Sequence, residues 1–68
     1  MDMSKQDQIN ELIKRIRYNE GEAKHYQEKA NESENPAMWV ELKSWYEGRV
    51  SAFRIALSMI DPGNKEVF

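Results

Sequence analysis

The chain contains no cysteine, one histidine and only two prolines. Without cysteine it can form neither disulfides nor thiolate metal sites, and a single imidazole cannot build a histidine-rich metal site within one chain. Long apolar runs are also missing. Nothing approaches the ~20 residues that span a bilayer, and the opening stretch Met1-Asp2-Met3-Ser4-Lys5-Gln6-Asp7-Gln8 lacks the apolar segment of a secretory leader. Nor is there a surplus of one charge. Ten basic and twelve acidic side chains leave a net charge of −2, whereas a general DNA or RNA binder carries a basic excess. These absences predict a soluble, cytoplasmic chain that binds neither membrane nor nucleic acid polymer.

What is present is helical periodicity. Ser4-Lys5-Gln6-Asp7 reads as a capping box, a hydroxyl followed three residues later by an acid. From there Ile9, Leu12, Ile16, Asn19, Ala23, Tyr26 and Ala30 recur at steps of three and four, which defines one helical stripe. A polar segment follows, in which Asn35 suits an N-cap and Pro36 the first helical position. A second stripe runs through Trp39, Leu42, Tyr46, Arg49, Phe53, Ala56 and Ile60, and Asp61-Pro62-Gly63-Asn64 stops it. No alternation of Val, Ile and Thr marks a strand. The expected fold is all-α: one domain over 1–68, an antiparallel hairpin of helices at about 4–31 and 36–60, with a tail over 61–68 that is ordered only if Val67 and Phe68 find a surface.

A short connection would place Ile9 level with Ile60, Leu12 with Leu57, Ile16 with Phe53, Ala23 with Tyr46, Tyr26 with Leu42 and Ala30 with Trp39. The one polar residue of each stripe, Asn19 and Arg49, then falls at the same level, as do the mid-helix glycines Gly21 and Gly48. Three roles fit this polar waist. Arg49 can lay its stem on the seam and reach to the rim, the pair can form a layer that fixes register, or the waist can hold a ligand.

A chain of 68 residues rarely encloses a sufficient core by itself. The first helix has a narrow apolar face, widened by Ile13. The second is broader, with Met38, Trp45, Ala52 and Met59 on one flank and Val50 and Leu57 on the other, and Ser44, Gly48, Ala52 and Ala56 form a row of small residues. One partner helix cannot cover that arc. Homo-oligomerisation, as a dimer or a larger ring with helix two against helix two, is the expected completion.

No catalytic constellation accompanies this architecture. His25 projects away from the seam, Ser33, Ser44, Ser51 and Ser58 have no base beside them, and Gly21, Gly48 and Gly63 are isolated rather than gathered in a phosphate loop. Glu22 and His25 form the Glu-x-x-His pair of di-iron bundles, but His25 lies outside the seam and Glu41 and Glu47 face outward. The reading is therefore a non-enzyme with no cofactor and no metal. The remaining groups suit a small anionic, aromatic ligand. Arg49 and Arg54 offer donor forks for phosphate, Trp45 and Tyr18 offer ring faces, Asn19 can read a base edge or ribose, and His25 adds a donor. Packing at an oligomer interface is the competing role for the aromatics. Arg15 and Arg17 read as solvated charges.

Trp39-Val40 opening a helix, Gly48 within it, Ala52, Arg54, Ala56 and Ile60, then Pro62 and Phe68, resemble the second helix of the small phage helical-hairpin sponges, the anti-CBASS and anti-Thoeris proteins. The resemblance covers about residues 39–68 with small shifts in spacing. It implies an oligomer in the host cytoplasm that sequesters a cyclic nucleotide or cyclic ADP-ribose isomer between protomers without cleaving it. Arg49 and Arg54, in the matching helix, would be the phosphate contacts. The alternative is a small oligomeric interaction module that inhibits or scaffolds a host protein.

Overall fold

A computed structural model describes residues 3–67, so Phe68 and its place in the resemblance lie outside the described residues. The chain forms α1, Lys5–Glu32, and α2, Ala37–Ile60, followed by a single 3-10 turn, Lys65–Val67. There is no strand among the described residues. The two helices pack against each other along most of their length as a hairpin.

Ser4 caps α1 as its sequence requires. The Asp7 N–H donates to Ser4 Oγ at 3.0 Å, and the Ser4 N–H donates to the Asp7 carboxylate at 3.4 Å. Two of the helix's otherwise orphaned donors are thereby satisfied. α2 starts differently from expectation. It begins at Ala37, Pro36 occupies the cap position with a helical backbone (φ −77°, ψ −8°), and no side chain caps it. Asn35 therefore does not act as the N-cap; it lies one residue too far back. Its own N–H instead donates to Ser33 Oγ at 3.1 Å, which tightens the connection between the helices.

The hairpin has two differently built halves. Towards its open end, Ile9, Ile16, Val50 and Leu57 form the buried centre, with Leu12, Ile13, Phe53, Ile60 and Val67 packed around them. Val67 thus makes one of the two contacts on which order of the tail is expected to depend, the other, Phe68, lying outside the described residues, and Arg17 adds an ion pair with Glu66 at 2.9 Å. Towards the connection the packing is aromatic. The Tyr26 ring stacks on Trp39 at 5.8 Å and on Tyr46 at 5.5 Å, with interplanar angles of 18° and 16°, the offset geometry that ring quadrupoles favour.

The α2 seam is rotated from the stripe read in the sequence. Val50 and Leu57, assigned there to a flank, are the buried residues of this helix, while Arg49 is exposed. The physical reason is the charge. A guanidinium placed on the seam axis would lose its hydration, so the helix turns to seat Val50 there and Arg49 moves to the rim. α1 contains no such conflict, and its stripe is buried or half-buried from Ile9 to Ala30.

Two consequences for stability arise here. A methyl group built at Gly21 would meet nothing within 4 Å, so Gly21→Ala should stabilise the hairpin by about 0.8–1 kcal/mol through backbone entropy alone. Chemical denaturation will show it as a raised midpoint with unchanged slope. Partial burial, then the neighbouring Tyr26 and Glu22, pushes the Tyr46 phenol above its ordinary 10.0. Because the folded chain holds this proton more tightly than the unfolded chain, the contribution is complete below pH 10.0 and is lost as pH rises through the folded value. In alkaline melting curves, any offset between Tyr46→Phe and the parent should therefore stay constant below that pH, and above it the stability of the variant should fall less steeply.

Candidate functional site

At mid-hairpin the apolar seam is interrupted by Asn19, whose side chain is almost wholly enclosed at 2 % exposure. An amide in that position must be hydrogen-bonded at both ends. Its Nδ2 donates to the Arg15 carbonyl one turn back at 2.7 Å, and its Oδ1 accepts from Arg49 Nε at 3.0 Å. The first bond locks the amide's orientation, and the second fixes the guanidinium that it holds. Arg49 then lies between two rings of its own helix, one turn before and one turn after it. Its guanidinium carbon is 4.9 Å from the Trp45 ring centroid and 5.6 Å from that of Phe53, within cation–π range.

The charge on Arg49 is the unusual element. Arg15 pairs with Glu11 at 3.1 Å, Arg17 with Glu66 at 2.9 Å and Arg54 with Glu20 at 2.7 Å. Among the described residues no carboxylate pairs with Arg49. Its anchor is a neutral amide attached through Nε, and among the described residues no hydrogen bond or ion pair engages its terminal nitrogens. The result is a guanidinium of fixed position and undiminished charge on an exposed face, beside a Trp45 ring that is itself 56 % exposed. Such a group presents a fork of donors to a phosphate or carboxylate without first losing rotamer entropy.

Of the residues singled out in the sequence, the structure brings together Asn19, Arg49 and Trp45. Arg54 is elsewhere, five positions along α2 in a cleft with Glu20, Ala23, Glu47, Val50 and Ser51. Glu20 neutralises it and Glu47 makes the cleft still less welcoming to an anion, although Arg54 Nε is enclosed without a hydrogen-bond partner. Tyr18 is exposed and has no hydrogen bond or ring contact to Arg49 among the described residues. His25 is exposed, its ring edge-on to Tyr26 at 5.2 Å. Arg15 is paired, rather than merely solvated, and its carbonyl anchors the amide. Phe53, expected only to pack on the seam, also flanks the guanidinium. The signal for it was present in the sequence as Trp45-x-x-x-Arg49-x-x-x-Phe53, rings one helical turn to either side of an arginine.

Among the described residues no group of three His, Asp or Glu side chains is placed to hold a metal ion, and no helix is long and apolar enough to cross a membrane. Comparison with known proteins finds no matching family, no matching curated protein and no matching solved structure.

Proposed function

We propose that this protein is a binding protein that sequesters a small anionic, aromatic ligand without altering it, with Arg49 as its anion contact and Trp45 as its ring contact. The observation that carries this reading is the unneutralised guanidinium held by a buried asparagine. A structural layer alone would be served as well by an arginine paired to glutamate, as the other three arginines are. The class of ligand follows from the chemistry: a phosphate or pyrophosphate for the fork and a base for the exposed indole. A cyclic nucleotide or a cyclic ADP-ribose isomer has both, which is also what the resemblance of α2 to the phage hairpin sponges implies. In that setting the ligand lies between protomers of a homo-oligomer in the host cytoplasm, and withholding it from a host effector blunts the defence. Arg54, in the matching helix, takes a supporting role in this proposal because its charge is already balanced.

Native mass spectrometry of the protein mixed with cyclic oligonucleotides and cyclic ADP-ribose isomers tests the proposal. The expected result is an intact nucleotide retained by the parent chain. Arg49→Ala should lower its affinity by about 10- to 100-fold, equivalent to the 1.5–3 kcal/mol of a charged hydrogen bond. Arg54→Ala should lower it far less. Retention of none of these compounds would favour a second reading, an interaction module that covers a host protein. That reading has its own observation, the exposure of Met38, Trp45, Ile55 and Met59 along α2.

A further inference from the structure

Those exposed residues follow a pattern. Met38, Trp45, Ala52 and Met59 lie seven residues apart on α2, and Glu41, Gly48 and Ile55 fall between them at steps of three and four. This is the spacing of a coiled-coil seam, and all seven residues are exposed. It is distinct from the seam that faces α1, where Val50, Phe53 and Leu57 pack. The same helix therefore carries two apolar faces, of which the hairpin uses one. Met59 is 82 % exposed and Ile55 64 %, a costly arrangement for a monomer.

We propose that a second copy of this chain covers the outer face, α2 lying antiparallel on α2 with the closest approach at Gly48 and Ala52. The distribution of side-chain size supports that occupant. Bulky residues stand towards both ends of the stripe, and the smallest lie in its middle. Ser44 and Ala56 extend the small row in both directions, which lets two helices approach closely on a ridge of i, i+4 residues. A Cβ at Gly48 would meet nothing within 4 Å inside the hairpin, so nothing in the hairpin's own packing uses the space that glycine leaves.

Direction follows from Glu41. Parallel packing would set Glu41 against its own copy in the seam, two like charges in contact. Antiparallel packing moves it alongside Met59 of the second copy and sets Trp45 near Ile55. The ion pairs Lys43–Glu47 and Arg54–Glu20 lie off the stripe, and a net charge of −2 causes little repulsion between copies. Area agrees as well. A compact monomer of 8.1 kDa would expose about 4,500 Å², whereas this chain exposes 5176 Å². The excess, roughly 700 Å², belongs to an elongated hairpin of 47 × 24 × 14 Å that covers less of its own surface than a compact chain of its mass, as a chain completed by a second copy does. Arg49 stays on the rim of this interface, so the dimer does not depend on the anion contact; Trp45 enters the seam, so a ligand's ring would meet it only at the edge of the interface, between the two protomers.

Sedimentation velocity at micromolar concentration, without nucleotide, should show a dimer or a multiple of it. Ala52→Glu, at an exposed position, should give a monomer with unchanged helical circular dichroism, while Arg49→Ala should remain associated. Cysteine cross-linking reads the direction, since the parent chain has no cysteine. Trp45→Cys and Ile55→Cys chains should form disulfides when mixed and few when oxidised separately. A monomeric parent, an Ala52→Glu chain that associates as before, or separate self-linking of each cysteine chain would overturn the proposal. So would association that appears only with an added host protein or ligand.

Discussion

Leu57→Ala is expected to leave the hairpin largely unfolded. Leu57 and Ile16 are both completely enclosed, and they belong to the one buried aliphatic centre among the described residues. Truncating a buried leucine costs about 2–5 kcal/mol, the higher figures arising where the surroundings cannot collapse into the cavity. Here they have little freedom to do so, because Ile9 and Val50 are fixed by two long helices. A single core of this size supplies at most about 3–5 kcal/mol, so one substitution removes most of the net stability. Far-ultraviolet circular dichroism at 25 °C and a thermal scan should show reduced helicity and a shallow, early transition. Met59→Ala, in the same helix and exposed, is the control and should melt with the parent when both are dilute. A Leu57→Ala chain as helical and as stable as the parent would mean that the core lies elsewhere.

Asn19→Ala should be the second most damaging change, and it should alter more than stability. The substitution removes two hydrogen bonds at once and leaves Arg49 Nε facing a small apolar hollow. Loss of a buried, fully satisfied polar group costs about 1–3 kcal/mol, and the cavity adds to it. The larger effect is on Arg49, which would no longer be held and would sample several rotamers beside Trp45. Denaturation should report the stability loss. If a nucleotide binds, its affinity should fall in Asn19→Ala although the amide need not touch it. Asn19→Leu separates the two effects: it refills the hollow and recovers part of the stability, but it cannot restore the position of Arg49. Equal ligand affinity in Asn19→Leu and the parent would show that the asparagine is a structural layer only.

Much of this architecture can be read directly from the residues. The capping box at Ser4 and Asp7 and the unbroken stripe from Ile9 to Ala30 place α1 to within a residue, because every local signal there agrees. The level pairing of Asn19 with Arg49 also follows from the two stripes, since a short connection fixes the axial register of a hairpin. Rotation about the axis is less strongly encoded. Apolar residues occupy α2 on more than half of its circumference, so stripes through Arg49 or through Val50 fit the periodicity equally well. Only the cost of desolvating the guanidinium decides between them. The expected cap at Asn35 does not form for a related reason: a shift of one residue moves a cap side chain out of reach, and propensity does not resolve one residue. For the site, residue type alone could not separate Arg49 from Arg54. That distinction needs the acids each one meets in space, and Glu20 is far from Arg54 in the chain.

The most direct test of the account is observation of the arginine side chains themselves, by nuclear magnetic resonance of the Nε–H groups during titration with cyclic nucleotides. Without ligand, the Nε–H of Arg49 should exchange slowly with water, as befits a proton bonded to a buried amide oxygen. On titration with a compound that native mass spectrometry shows to be retained, the Arg49 signal should shift and the Arg54 signal should stay in place. Fast exchange at Arg49, or a response at Arg54 while Arg49 is unmoved, would contradict the claim that a buried asparagine presents a free guanidinium for binding.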